Sequence, residues 1–90
     1  MNTVRFKPGA ELTFKSVADV REQLYKTLIN STGNHFTLDM SEVIHCDSAG
    51  MALLIEARKL CNKNNKAFDI IGMSAKTQSL ADFCGVKDIL

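Results

Sequence analysis

His45-Cys46-Asp47-Ser48 gathers a base, a thiol, a carboxylate and a hydroxyl in consecutive positions. Those are the residue types of a nucleophile–base–acid set, and attack of a thiol or hydroxyl on an electrophile would be its chemistry. Neighbours on an extended segment point to opposite sides, so the side chains do not converge. The second histidine, His35, stands upstream at the start of a different predicted strand. No Gly-x-Ser-x-Gly, His-Glu-x-x-His or P-loop occurs. Cys46, Cys61 and Cys84 are odd in number and form no Cys-x-x-Cys pair, which argues against a disulfide framework and a zinc site. The expectation is a non-enzyme without metal or cofactor, its cysteines serving as small apolar residues in a reducing, cytoplasmic compartment.

Ser48 remains the most informative of the four. It precedes Ala49-Gly50-Met51 and the apolar run Ala52-Leu-Leu-Ile55, where a helix is expected to begin. A serine there has two possible roles. It can cap the first turn, which typically contributes about 1 kcal/mol and is the commoner use. It can also present its hydroxyl at the positive end of the helix, where a phosphate would meet free backbone N–H groups. Asp47 beside it would repel that phosphate.

Helical periodicity places Leu53, Leu54, Ala57, Leu60 and Cys61 on the core side of this second helix. It places Met51 and Ile55 opposite, with Arg58, Lys59 and Asn62 around them. A small domain has little left to cover two large apolar residues there. Asp47, Ser48, Met51, Ile55, Arg58 and Lys59 are therefore the expected partner-binding surface.

The rest of the chain must position that helix. Thr3–Lys7 alternates Val4 and Phe6 with polar residues, Pro8-Gly9 is a turn signal, and Ala10–Phe14 can return, so an N-terminal hairpin is predicted. Ser16 is a candidate cap, with Asp19 as its reciprocal partner, for a first helix burying Val17, Val20, Leu24 and Leu28. Tyr25 and Ile29 lie on its flank, as core edge or as contact surface. A strand follows over His35–Met40, then an irregular link, Ser41–Cys46. The second helix runs from about Asp47-Ser48 to Asn62, and Asn62–Asn65 reads as a solvated turn. Lys66–Ile71 is a strand closed by Gly72. Ser74 is the candidate cap of a third helix over Ala75–Cys84, with Thr77, Leu80, Phe83 and Cys84 inward and Gly85 in the left-handed position. Val86–Leu90 is a short tail. The order β-β-α-β-α-β-α implies a single α/β domain over residues 1–90, with a mixed, mostly parallel sheet and three helices.

Composition agrees. The chain has 90 residues, 46% hydrophobic and 23% charged, as in a globular domain. A net charge of +1 supplies no basic excess for neutralising phosphates, which argues against a nucleic-acid binder. No apolar run approaches the roughly 20 residues of a membrane span, and Met1–Lys7 lacks the apolar core of a signal peptide, so neither insertion nor export by that route is expected.

Leu38-Asp-Met-Ser-Glu-Val43, then Asp47-Ser-Ala-Gly50, then an Ala/Leu-rich helix, resembles the STAS domain of anti-sigma-factor antagonists. The resemblance covers nearly the whole chain. Leu12-Thr-Phe-Lys-Ser-Val17 together with Asp47-Ser-Ala-Gly-Met-Ala-Leu-Leu-Ile55 is most similar to the MlaB-like branch. That branch holds small STAS subunits of an ABC-type phospholipid transporter maintaining outer-membrane lipid asymmetry. The resemblance implies a non-catalytic subunit that binds the ATPase and supports its assembly and activity. Through that partner it would meet the permease indirectly, at the inner face of the inner membrane. It also implies that Ser48 occupies the family's hydroxyl position, as a contact or a phosphorylation site. The alternative is an antagonist switched by phosphate on Ser48. Antagonists usually carry a second acid where Glu11-Leu-Thr-Phe-Lys15 has none, and an extra C-terminal helix for which the stretch up to Leu90 leaves little room; both features favour the transporter branch.

Overall fold

Three short segments with apolar residues at alternate positions pair edge to edge to make the main sheet. The computed structural model describes residues 3–86, and in it β1 (Thr3–Phe6), β3 (His35–Asp39) and β5 (Ala67–Ile71) lie in the order β1-β3-β5, both pairs parallel. Val4 is opposite Phe36, which is opposite Phe68; Phe6 is opposite Leu38, which is opposite Ile70. Because side chains alternate across a strand, these six share the core face. Phe6, Phe36 and Phe68 stack along it with ring centroids 6.4 and 6.3 Å apart. On the other face the Thr37 hydroxyl donates to Asp69 Oδ1 at 2.8 Å, and His35 Nε2 lies 3.1 Å from the same oxygen.

The predicted hairpin does not form. After β1 the chain turns at Gly9, whose φ of +97° suits glycine, and leaves the main sheet. The next strand, β2 (Glu11–Leu12), instead pairs in parallel with β4 (His45–Cys46), which lies within the segment expected to be an irregular link. The Ala10 carbonyl accepts from the Ile44 and His45 amides, and the Leu12 carbonyl from the Asp47 amide. A parallel β1–β3 pair buries Phe6 on Phe36, and that contact decides the pairing over the nearer partner. The return strand is also shorter than expected, because the Ser16 and Val17 amides turn back onto the Thr13 carbonyl.

Helices α1 (Val17–Ile29) and α2 (Ser48–Lys63) pack side by side on the core face, and α3 (Ala75–Phe83) closes one end. Val20, Leu24 and Leu28 of α1 meet Leu53, Leu54, Ala57 and Cys61 of α2 in one buried cluster, as periodicity predicted. Ser16 stands at the cap position of α1 but does not cap it. Its hydroxyl donates to the Glu11 carbonyl at 2.8 Å and accepts from the Thr13 amide at 3.0 Å, tightening the preceding turn. Ser74 does cap α3, accepting from the Thr77 amide at 3.1 Å, and Gly85 takes φ +72° after its end. The inner face of α3 is Thr77 and Ala81, not Phe83 and Cys84. Phe83 lies on the far side of the helix from Ala81 and is 90% exposed; Cys84 is also exposed. Val86 packs partly against the core, and the remainder of the predicted tail lies outside the described residues. Among the described residues no helix is long and apolar enough to cross a membrane.

Candidate functional site

The first turn of α2 is held by Asp47. Its backbone is extended, and its Oδ1 accepts from the Gly50 amide at 3.0 Å. Asp47 is thus the cap, and the expectation that Ser48 caps the helix is overturned. Asp47 is better placed because it is still extended, so its short side chain can reach forward to the third helical N–H. Its second oxygen, Oδ2, accepts from the Phe14 amide at 3.0 Å, so one carboxylate ties the start of α2 to the turn after β2. The Phe14 N–H foremost, then those of Gly50 and Ala49, hold the Asp47 carboxyl below the usual carboxylate range, outweighing its burial.

Ser48, freed from capping, is the first helical residue and is exposed. Gly50 shows why the segment carries a glycine. A Cβ there would stand 2.1 Å from the Leu12 carbonyl oxygen and 3.0 Å from Cys46 Sγ. The backbones of α2 and β2 touch at this point, and only glycine permits it.

The predicted binding surface divides. Met51 is 2% exposed and belongs to the buried core, so its outward placement is corrected. The helical wheel gives the direction in which a side chain leaves the helix. It does not show that, where α2 is wedged against β2, the helix is enclosed over a wider arc than the main sheet alone would cover. Ile55 and Arg58 are half-buried, and Lys59 is exposed. The outward ridge of α2 is Ser48, Ala52, Ile55 and Lys59, at the spacing of one helical face.

On the Asp47 side of the start of α2 lies an open groove of about 620 Å³ between the β2–α1 turn, β4 and α3. Phe14, Ile44, Asp47, Lys76 and Leu80 are among its lining residues. Phe14 is 70% and Ile44 69% exposed, unusually open for such residues. Sequence reasoning placed neither in the site. For Ile44 a signal existed: adjacent Val43 and Ile44 cannot both face one core, and Val43 is the buried one. For Phe14 the alternation pointed inward, and the turn at Thr13 breaks it.

The His45–Ser48 cluster does not assemble for catalysis. His45 is exposed, whereas Cys46 is half-buried. The Cys46 thiol lies 3.7 Å from the Asp47 carbonyl oxygen as a donor, and its pKa is pushed up to about 11 by burial, then by the Asp47 charge and Cys84. It stays protonated near neutral pH, the opposite of an activated nucleophile. Among the described residues no three His, Cys, Asp or Glu side chains are grouped to hold a metal ion.

Comparison with known proteins gives the family and the fold. The chain is 31% identical over 85 residues to an anti-sigma-B factor antagonist of Staphylococcus epidermidis, covering 93% of this chain and 77% of that protein. It is 29% identical over 84 residues to one of Staphylococcus aureus (strain NCTC 8325 / PS 47), with the same coverage. Its fold is similar to the crystal structure of a sulfate transporter family protein from Wolinella succinogenes. The TM-score is 0.79 at 22% identity, covering 98% of this chain and 70% of that one. The STAS domain model matches residues 2–90, and the chain belongs to that family.

Proposed function

We propose that this member of the STAS family is a non-catalytic protein-binding domain of the anti-sigma-factor-antagonist kind, with Ser48 as its switch. The observation that carries the reading is the exposed Ser48 hydroxyl at the start of α2, released from capping by Asp47, whose own side chain lines an open groove with Phe14 and Ile44. The names of the two staphylococcal relatives support this branch over the transporter subunit.

The switch follows from charge. A phosphate adds nearly two negative charges at neutral pH. On Ser48 it would stand beside the Asp47 carboxylate, which is held ionised, and beside half-buried Ile55. The helix donors that would welcome it are partly engaged by Asp47 already. A partner pressed onto the Ser48–Ile55 ridge and the Phe14–Ile44 groove would have to desolvate that charge against apolar surface, which is unfavourable. The unmodified form therefore binds, and the phosphorylated form releases.

A second reading keeps one supporting feature. The stretch from Glu11 to Lys15 lacks the second acid usual in antagonists, so docking on a transport ATPase through the same ridge is the alternative. Affinity capture from detergent-solubilised membranes and cytosol of the native host, with wild type and Ser48→Asp, separates the two. The expected result is an anti-sigma factor or serine kinase with wild type, its loss with Ser48→Asp, and phosphate on Ser48 in growing cells. Recovery of an ABC ATPase with its permease, and a Ser48 that never carries phosphate, would replace the antagonist reading with the transporter one.

A further inference from the structure

We propose that the far end of α2, together with the end of α1, forms a second docking surface that takes an acidic, amphipathic segment of a protein partner. The inference goes beyond the Ser48 reading and does not depend on it. A groove of about 510 Å³ lies between the C-terminal turns of the two helices. Tyr25, Leu28 and Leu60 supply its apolar lining, and Ile29, 76% exposed, stands at its edge. Lys63 and Lys66 complete the rim. The Lys66 ammonium donates to the Gly33 carbonyl, which holds it in place.

The lining of this groove is charged in one sense, with Lys63 and Lys66 and no Asp or Glu. Lys26 is paired with Glu22, and the nearest acid on α2, Glu56, is engaged by Arg21 and Tyr25. No ion pair among the described residues engages Lys63 or Lys66. An occupant that complements this site carries carboxylates for the lysines and an apolar side chain for the trough.

The shape selects among anionic partners. The apolar atoms are recessed between two helices, with Leu28 fully buried, so a flat lipid surface would meet lysines and Ile29 but not the floor. A net charge of +1 leaves no basic excess for the phosphates of a nucleic acid. A helix laid along the trough, apolar stripe inward and Glu or Asp at the rim, meets both features. At 1.5 Å per residue α2 separates this end from Ser48 by about 22 Å, so one partner surface need not exclude the other.

The test uses the full chain, labelled with nitrogen-15, and a synthetic helical peptide of leucine at i, i+3, i+4 and i+7 with glutamate elsewhere. Saturable shifts at Ile29, Leu60, Lys63 and Lys66 are expected, weakening as salt is raised. Ile29→Glu and Lys63→Glu, both at exposed positions, should each reduce affinity about tenfold. Ser48→Asp should leave it unchanged, which keeps failure here distinct from failure of the proposed function. A peptide of the same composition without the leucine stripe should bind at least about tenfold more weakly. Equal binding of that peptide, no saturable shifts, or shifts centred on Phe14 and Ile44 would each overturn the proposal. Lys63-dependent sedimentation with phosphatidylglycerol vesicles, without peptide binding, would assign the surface to lipid instead.

Discussion

The two ends of α2 differ in how tightly they are built. At the N-terminal end the Gly50 backbone lies against the Leu12 carbonyl, and one carboxylate joins two segments that are distant in sequence. At the C-terminal end the last carbonyls are met locally, Leu60 O accepting from the Asn64 amide and its side chain, and Asn65 takes φ +57° to turn the chain. The chain leaving α2 is tied to the α1–β3 loop by the Ala67 amide on the Asn34 carbonyl at 2.9 Å, without an approach as close as that at Gly50. The rigid end suits an all-or-none switch, because a change there has nowhere to relax. The basic end, with Ile29 and Lys63 exposed at its rim, suits a surface that meets a partner through side chains.

The largest test of this contrast is Gly50→Ala. The added methyl would overlap the Leu12 carbonyl, so α2 or β2 must move; a loss of about 3 kcal/mol or more is expected in urea unfolding. Amide signals of Phe14 and Asp47 should shift strongly while those of Lys63 and Lys66 stay. If both ends shift alike, they are one unit and the contrast fails.

Asp47→Ala should cost about 1–2 kcal/mol through loss of the cap and of the tie to Phe14. Its pH dependence gives a finer readout. The folded carboxyl lies below its unfolded value of about 3.9, so its contribution is complete above that value and is lost as pH falls through the folded one. Asp39, lowered by the Ser41 hydroxyl and amide and then by Lys7 and Arg5, behaves in the same sense. Asp47→Asn should therefore flatten the acid limb of stability against pH only in part, with Asp39 still titrating.

Tyr25→Phe removes the 2.5 Å bond from the hydroxyl to Glu56 Oε1, for an expected loss of about 1 kcal/mol. The ring stays in the basic groove, so peptide binding should survive. The smallest effect belongs to Ile29→Glu and Lys63→Glu, whose unfolding free energies should stay within about 0.5 kcal/mol of wild type. A larger loss in either would mean that the basic end is structural.

How much of this was legible depended on the range of the interaction that decides each feature. The Ser74 cap, Gly85 after α3, and the buried line Leu53, Leu54, Ala57 and Cys61 are set within a few residues, and periodicity and turn chemistry find them. The resemblance identified the family, and Ser48 emerged exposed at the helix start. Asp47 as the cap was missed because both residues are good caps, and the distant Phe14 amide that holds the second carboxylate oxygen is not visible in local spacing. Met51 and Phe83 were misplaced for one reason: burial depends on what covers a side chain. The hairpin failed in the same way, because nearness in sequence was outweighed by the fit of Phe6 on Phe36.

The sheet has a consequence for the order of events during synthesis. Thr3 pairs with His35, and His35 with Ala67, so no strand finds its neighbour until a whole helix has been made between them. Parallel ladders of this kind close long loops before any ladder bond forms, which makes folding slow compared with local zipping. Until β5 pairs, one edge of β3 lacks its partner. Phe36 and Leu38 then lack Phe68 and Ile70 as neighbours on the core face. The pairing of residues 67–71 thus removes a strand edge open to wrong partners.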